Sequence, residues 1–237
     1  MMSDPTAAVD PHDPSVDVPK GRKAFIPLEC NPELMTTLVH NLGLTPTLAF
    51  HDVFSISEPE LLAFVPRPAL ALLLVFPVSE SYEKFRRDED ESRPEYNGKG
   101  VLHAISNGAA RDMIEADSPI GRLLAKALPL PPLDRAKVLE DSRELESAHK
   151  SAATQGSSVV PDAEADVDLH YVCFVKSKSN HLYELDGRRK GPLDRGFLGD
   201  DDVFSEKALK VVQDFIDREK ESGRLDFSLV TLAPSLG

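Results

Sequence analysis

A run of eight apolar residues between two prolines constrains the fold of this chain more than any other feature. The segment 69–76 is ALALLLVF and lies between Pro68 and Pro77. It is too short for most helices and far below the roughly 20 apolar residues that a helix needs to cross a bilayer. Because its side chains are apolar on both faces, the run predicts a fully buried strand at the centre of a sheet.

The size and charge of the chain limit its domain count and its partners. Its 237 residues, of which 41% are hydrophobic, suit one large domain or two small ones. Lys and Arg number 27 against 40 Asp and Glu, which gives a formal charge of −13. This charge would repel the phosphates of nucleic acids and attract basic proteins. We therefore expect a basic protein partner and no nucleic acid.

The N-terminal segment predicts a tail and a cellular location. Residues 1–22 are rich in proline and aspartate and hold few large apolar side chains, so we expect a flexible tail before a domain over 23–235. The same residues lack the basic and apolar regions of a secretory signal. We expect a cytoplasmic protein, with the nucleus as a second location, and no association with membranes.

The cysteines and histidines give no sign of a metal site. Cys30 and Cys173 are the only cysteines, which is too few for a disulfide framework or a cysteine-rich zinc site. The seven histidines show no HExxH motif. We expect no metal or cofactor, and a monomer.

Capping residues and apolar spacing predict the helices and strands. Asn31, Ser57 and Ser205 are the expected N-caps, and Gly43 is the expected stop of the first helix. The predicted helices cover 32–42, 59–65, 101–114, 118–128, 132–148 and 205–220. The predicted strands cover 48–54, 69–76, 167–176, 181–187 and 225–234. The predicted loops and turns cover 81–100, 151–166 and 191–199.

These elements predict a single α/β domain. Its central antiparallel sheet is built from the strands 69–76, 167–176, 181–187 and 225–232, with helices packed on both sides. The charged run RRDEDESR over 86–93 is predicted to be a solvated loop rather than a partner-steering surface.

A predicted hairpin brings together two side chains suited to acid–base chemistry. If Lys176 pairs with His181, then Tyr171 lies opposite Asp186, and a slip of one residue places His170 opposite Asp186. In either register an imidazole and a carboxylate are neighbours. The carboxylate can then accept a hydrogen bond from Nδ1–H, fix the tautomer and stabilise the imidazolium. By this pattern alone, a structural role is the commoner one for such a histidine.

Several motifs together resemble the ubiquitin C-terminal hydrolase family, the papain-like cysteine deubiquitinases. They occur in the family's order from about Phe25 to Pro234. The motifs are PLECNPEL (27–34), PELLAFVPRPALALLLVFP (59–77), YEKFR (82–86), VDLHYVCFV (167–175) and HLYELDGRRKGP (181–192).

The resemblance implies a papain-like fold, an activity and a partner. It places the family's catalytic histidine on His170 and its aspartate on Asp186, and it makes residues 147–166 an active-site crossover loop. The implied chemistry is thiol-dependent hydrolysis of the bond after the C-terminal glycine of ubiquitin, within ubiquitin-dependent protein catabolism. Ubiquitin or its adducts would be the partner.

The chain departs from the family where the nucleophile belongs. The family has a glutamine for the oxyanion and then Asn-Ala-Cys-Gly, whereas YNGKG here runs from Gly100 directly into Val101. The helix predicted over 101–114 accordingly begins without a capping residue. A segment that carries the cysteine is therefore missing between Gly100 and Val101.

No other residue is a good replacement for the missing nucleophile. Cys173 lies three positions after His170 on one predicted strand and so points to the opposite face. Nothing places Cys30 beside His170, and Ser106 lies in ISNG rather than in a G-x-S-x-G motif. The remaining candidates His103 and His181 are predicted to be structural.

Two hypotheses follow for the function. The chain is either an active hydrolase represented by an incomplete sequence, or a non-catalytic ubiquitin-binding relative. We favour the first, because a pseudoenzyme usually substitutes its nucleophile and keeps the scaffold. Loss of a core-lining helical start would cost several kcal/mol. In both cases the chain with this sequence is expected to be inactive.

Overall fold

The computed structural model describes residues 25–94, 109–156, 169–220, 223 and 226–236. Several sequence predictions fall outside these residues. They are the tail over 1–22, the Gly100–Val101 junction, residues 101–108 of a predicted helix with His103 and Ser106, and residues 157–166 of the predicted crossover loop.

A six-stranded antiparallel sheet forms the centre of the described part of the chain. The strand order is β1-β6-β2-β3-β4-β5. The strands are β1 Leu48–Asp52, β2 Ala71–Pro77, β3 Leu169–Lys176, β4 His181–Asp186, β5 Leu193–Phe197 and β6 Ser228–Pro234. The apolar run forms β2, which pairs with β3 and β6, so the prediction of a central strand is confirmed.

Seven α-helices and one 3-10 helix accompany the sheet among the described residues. The α-helices are α1 Pro32–Asn41, α2 Pro59–Leu62, α3 Glu80–Glu91, α4 Pro119–Ala127, α5 Pro132–Glu140, α6 Arg143–Ala153 and α7 Glu206–Lys220. The 3-10 helix is Ala109–Met113. None of the described helices is both long and apolar enough to span a bilayer.

The two faces of β2 pack into different clusters, as the apolar run predicts. Leu72, Leu74 and Phe76 are fully buried and share a cluster with Phe215 of α7. Ala71 points to the opposite face, where it packs with the cluster that includes Val39 of α1 and Ile114 after the 3-10 helix. A sheet that is covered on both faces by helices confirms the predicted α/β architecture.

The ends of α1 have the geometry that its sequence predicts. The side chain of Asn31 accepts hydrogen bonds from the backbone N–H groups of Glu33 and Leu34. Gly43 follows the helix with φ of 102°, and a Cβ there would collide with Ser118. Only glycine satisfies both requirements at this position.

The largest correction concerns the segment predicted to be a loop over 81–100. Residues Glu80–Glu91 form α3, capped by Ser79, whose hydroxyl accepts from the N–H of Tyr82. Tyr82, Arg86 and Asp90 are buried at helical spacing. Residues 86–91 of the charged run are therefore helical with a buried charged face, and the prediction of a solvated loop over 86–93 is wrong. This face is buried because arginines that follow β4 neutralise its carboxylates.

Three smaller predictions also differ from the structure. The helix predicted over 132–148 is two helices, because Ser142 starts a new one by accepting from the N–H of Leu145. Ser57 is not the cap of α2, since Ser55 Oγ instead accepts from the N–H groups of Ser57 and Glu58. The turn predicted over 191–199 contains β5.

The predicted crossover loop begins within a helix. Because α6 extends to Ala153, residues 147–153 of the loop predicted over 147–166 are helical. By contrast, the helix predicted from Ser205 is confirmed, with the Ser205 hydroxyl accepting from the N–H of Ala208.

Candidate active site

The hairpin register differs by one residue from the predicted one. Lys176 lies opposite Leu182, and Val172 lies opposite Asp186. The backbone N–H of Ser177 donates to the carbonyl of His181, so Ser177 belongs to the strand pairing and the turn is shorter than predicted. Asn180 makes this tight turn possible with φ of 62°, a conformation that asparagine tolerates.

This register still brings His170 and Asp186 together, as diagonal neighbours rather than opposite partners. Their side chains share the sheet face that also carries Phe76, because His170 pairs with Phe76 on β2. The distance from His170 Nε2 to Asp186 Oδ1 is 2.6 Å. The prediction that the imidazole and the carboxylate lie within hydrogen-bond reach is confirmed.

The nitrogen that faces the carboxylate is Nε2 and not the predicted Nδ1. Nδ1 is therefore the nitrogen that a nucleophile would have to approach. The His170 ring packs against the edge of Phe76 at a centroid distance of 5.8 Å, and its side chain keeps 15% of its surface exposed. The imidazole is thus held by Asp186 and Phe76, while part of its surface stays accessible to solvent.

The Asp186 carboxylate is fully buried and accepts several hydrogen bonds. The backbone N–H of Arg188 donates to Oδ1 at 2.8 Å, and the hydroxyl of Tyr82 donates to Oδ2. Burial alone would raise the pKa of Asp186. The bonds from His170, Tyr82 and Arg188 outweigh burial and hold that pKa below its ordinary value. Asp186 is therefore an anion that can orient and stabilise a protonated His170.

A buried cluster of charges lies beside Asp186. Arg189 has no exposed side-chain surface and pairs with Glu184 at 3.2 Å and with Glu89 of α3 at 2.7 Å. Arg195 contacts the same two carboxylates, each at 2.7 Å. Burial raises the pKa of Glu184 even though both guanidinium groups oppose it. The cluster joins α3 to the strands and turn around Asp186.

Neither cysteine is placed to act on the His170 side. Cys173 pairs with Leu185 and points to the face opposite His170, as predicted, and burial raises its pKa to about 12. Cys30 lies near Tyr171, which points to that same opposite face, and burial together with Asp52 raises the Cys30 pKa to about 11. Thiols with such pKa values are almost fully protonated at neutral pH.

The sequence model of the family described as "Ubiquitin carboxyl-terminal hydrolase, family 1" matches residues 25–217. The chain belongs to this family. A ubiquitin carboxyl-terminal hydrolase of Aplysia californica is 36% identical over 210 residues, which cover 83% of this chain and 97% of the relative. Isozyme L1 of Rattus norvegicus is 34% identical over 223 residues, covering 87% and 96%. Ubiquitin carboxyl-terminal hydrolase 3 of Arabidopsis thaliana is 32% identical over 229 residues, covering 89% and 94%.

Solved structures share the fold of this chain. The catalytic domain of Trichinella spiralis UCH37, bound to ubiquitin vinyl methyl ester, superposes with a TM-score of 0.66 at 21% identity. The superposition covers 90% of this chain and 96% of that domain. The papain-like α/β fold inferred from the sequence motifs is therefore confirmed.

Sequence reasoning missed one residue of the site and placed another correctly outside it. Tyr82 fell in a segment predicted to be a loop, although its spacing to Arg86 and Asp90 is helical and could have indicated a buried face. His181 lies at the far end of β4 from Asp186 and contacts Asp194 instead. Among the described residues, no three His, Cys, Asp or Glu side chains are grouped as metal ligands.

Proposed function

We propose that this chain has the site of a thiol-dependent deubiquitinase in which His170 is the general base and acid and Asp186 its orienting partner. The carrying observation is the 2.6 Å contact between His170 Nε2 and a fully buried Asp186 carboxylate. Burial of the carboxylate strengthens this hydrogen bond, and part of the His170 side chain stays exposed to solvent. Membership of the family adds the chemistry that the pair would serve.

The reaction would proceed by acyl transfer through a thioester. Nδ1 of His170 takes the proton of a cysteine thiol, and the thiolate attacks the carbonyl of the C-terminal glycine of ubiquitin. The imidazolium, stabilised by Asp186, then protonates the leaving amine as its bond to the carbonyl breaks. Water next attacks the thioester carbonyl, with His170 accepting a proton from the water. His170 then returns this proton to the cysteine thiolate as the carbon–sulfur bond breaks and the C-terminal carboxyl group of ubiquitin is released. Asp186 stays ionised throughout.

The chain with this sequence lacks the thiol that this mechanism needs. Cys30 and Cys173 lie toward the other face of the sheet, and both have raised pKa values. We propose that the sequence is an incomplete version of an active hydrolase and that the chain as it stands does not turn over substrate. The alternative is a non-catalytic protein that binds ubiquitin. In both proposals ubiquitin is the partner, which is supported by the bound ubiquitin derivative in the Trichinella spiralis structure.

Restoring the missing segment tests the proposed chemistry. A family-like segment with Gln and Asn-Ala-Cys-Gly would be inserted between Gly100 and Val101, and hydrolysis of a ubiquitin–fluorophore substrate would be measured. We expect activity in the restored chain and none in the original, because an oxyanion donor alone contributes about 10²–10³ in rate and the nucleophile more. His170→Ala should abolish the restored activity.

His181→Ala is the matched control for that substitution. His181 also contacts an aspartate, Asp194 at 2.8 Å, but lies at the opposite end of β4. Activity of the restored chain should survive His181→Ala. If His170→Ala and His181→Ala were equally active, His170 would not be the general base.

A reactive ubiquitin tests the two existing thiols directly. Ubiquitin with a C-terminal electrophile should leave the unrestored chain unlabelled. Both thiols are protonated at neutral pH, and both lie toward the face of the sheet opposite His170. The restored chain should be labelled at the inserted cysteine. Mass spectrometry that found the label on Cys30 or Cys173 would identify that thiol as the nucleophile and overturn this part of the proposal.

A further inference from the structure

The two oxygens of Asp186 have different partners. Oδ1 faces His170 Nε2 at 2.6 Å and the Arg188 N–H at 2.8 Å. Oδ2 accepts from the Tyr82 hydroxyl. Arg189 Nε also faces Oδ2, at 3.8 Å, but it lies closer to the carboxylate of Glu184, at 3.2 Å. Among the described residues, Tyr82 is therefore the closest donor to Oδ2.

The position of the Tyr82 hydroxyl is tightly fixed. Its side chain is fully buried, and its ring packs edge-on against Phe76 at 4.9 Å between centroids. Phe215 of α7 lies on another side at 6.3 Å. Because Phe76 also packs against His170, one aromatic ring contacts both Tyr82 and the imidazole. The phenol has no room to adopt another rotamer without displacing core side chains.

The helix that carries Tyr82 is bound to the turn that follows Asp186. Arg86 donates to the carbonyl of Arg188, and Asp90 accepts from the N–H of Lys190 at 3.0 Å. Arg93 donates to the carbonyl of Pro192 at 2.8 Å. Two residues one turn apart on α3, together with Arg93 just beyond its C-cap, therefore fix alternate residues of the turn. Tyr82 and Asp186 cannot move apart unless these bonds break.

We propose that Tyr82 is a positioning residue of the His170–Asp186 pair. Its hydroxyl fixes Oδ2, so that the carboxylate cannot rotate and Oδ1 stays directed at Nε2 of His170. The imidazole is thereby held with Nδ1 available for a nucleophile. The catalytic value of this arrangement rests on the proposed function. The positioning itself is a property of the chain as it exists.

Tyr82→Phe and Tyr171→Phe form a matched pair of variants. Tyr171 is adjacent to His170, and its hydroxyl also donates a hydrogen bond, to the carbonyl of Leu28 at 2.5 Å. Each variant loses one phenolic hydrogen bond and keeps the ring. Only the first one changes the surroundings of Asp186.

The first measurement is solvent exchange of the His170 ring N–H proton, followed by NMR near pH 8 in the intact chain. We expect Tyr82→Phe to raise the exchange rate by about tenfold, because the carboxylate that holds this proton gains freedom. Tyr171→Phe should leave it within about twofold. The backbone amide of Val172 serves as an internal reference for general unfolding. Equal exchange of the His170 proton in the two variants would overturn the proposal.

The second measurement separates positioning from simple loss of stability. Tyr82 bonds to a carboxylate whose pKa is lowered in the folded chain, whereas Tyr171 bonds to a neutral carbonyl. The drop in urea midpoint caused by Tyr82→Phe should therefore shrink as acid protonates Asp186. The drop caused by Tyr171→Phe should be independent of pH. A pH-independent drop in both variants would contradict the proposal.

A third variant covers the case in which Tyr82→Phe does not fold. Asp186→Asn replaces the charged acceptor by a neutral one, so the Tyr82 hydroxyl proton should exchange faster and move upfield. An unchanged hydroxyl resonance would overturn the contact and the proposal with it. None of these measurements needs catalysis. Failure of the restored chain to hydrolyse ubiquitin substrates would therefore count against the proposed function alone.

Discussion

At the scale of single residues, Asp186 shows how a buried carboxylate is kept ionised. Removal of its side chain from water favours the neutral acid, whereas three donors from different elements favour the anion. Those donors are the His170 ring, the Tyr82 hydroxyl and the Arg188 backbone N–H. The hydrogen bonds prevail over burial. The charge of Asp186 therefore depends on the folded arrangement of these three partners.

Asp186→Asn should lower the stability of the chain in a pH-dependent way. The folded pKa of Asp186 lies below the unfolded value of about 3.9, so its contribution is present above pH 4 and disappears as pH falls through the folded pKa. The variant should lose about 1–3 kcal/mol at neutral pH and progressively less in acid. Urea unfolding across this pH range measures the difference. Asp141→Asn, at the exposed C-cap of α5, is the control. A loss that stayed constant with pH would contradict the assignment.

The sequence could predict the His170–Asp186 pair because strand pairing is local. A short turn joins β3 and β4, and every plausible register left the two side chains as neighbours. The register itself depended on the left-handed conformation of Asn180, which residue patterns do not reveal. Tyr82 could not be placed in the same way, since it is 104 residues from Asp186 along the chain. Contacts at that separation depend on how α3 packs.

At the scale of elements, α3 shows why polarity alone is a poor guide to exposure. Its sequence ESYEKFRRDEDE is as polar as a loop, yet one face is buried. That face can be buried because Arg189 and Arg195 supply the opposite charges. The cluster holds α3 against the turn after β4. A sequence pattern that considers one element at a time cannot show this pairing.

Arg189→Met should be strongly destabilising. It leaves the fully buried Glu184 and the half-buried Glu89 with Arg195 as their remaining close guanidinium. An uncompensated buried charge typically costs about 3–5 kcal/mol. Arg122→Met is the control, because Arg122 pairs with Glu144 at an exposed site and such pairs contribute about 0–1 kcal/mol. Chemical denaturation of both variants measures the contrast.

A second substitution tests whether charge is the cause of that loss. Glu184→Gln added to Arg189→Met removes the uncompensated charge and should restore part of the stability. The free energy of unfolding would be measured for both single variants and for the double variant. If the losses of the two single variants simply added in the double variant, the two side chains would not be coupled.

At the scale of the whole molecule, the architecture was largely predictable and the connections between distant parts were not. The run over 69–76 required a covered central strand, and four of the strands were predicted in their correct antiparallel sheet. The edge strands β1 and β5 were harder to place. β1 was predicted without a partner and pairs with β6, and β5 was assigned to a turn because LDRGF has little apolar character. Edge strands carry a weaker pattern because fewer of their side chains are buried.

The net charge of the whole chain leads to the last prediction, which concerns the proposed binding of ubiquitin. A formal charge of −13 should attract the basic C-terminal tail of ubiquitin and speed the encounter. Raising the ionic strength from about 0.01 M to 0.1 M shortens the screening length from about 30 Å to about 10 Å, so the affinity should fall. Titration of ubiquitin into the purified chain at both salt concentrations measures this change in affinity.

Ubiquitin truncated before its basic tail is the control, and it should bind more weakly and with less dependence on salt. Binding should be weak even at low salt, because the segment that we propose to be missing would have formed part of the cleft. Complete absence of binding at low salt would contradict ubiquitin as the partner of this chain in its present form, and would leave the restored chain as the only candidate for that role.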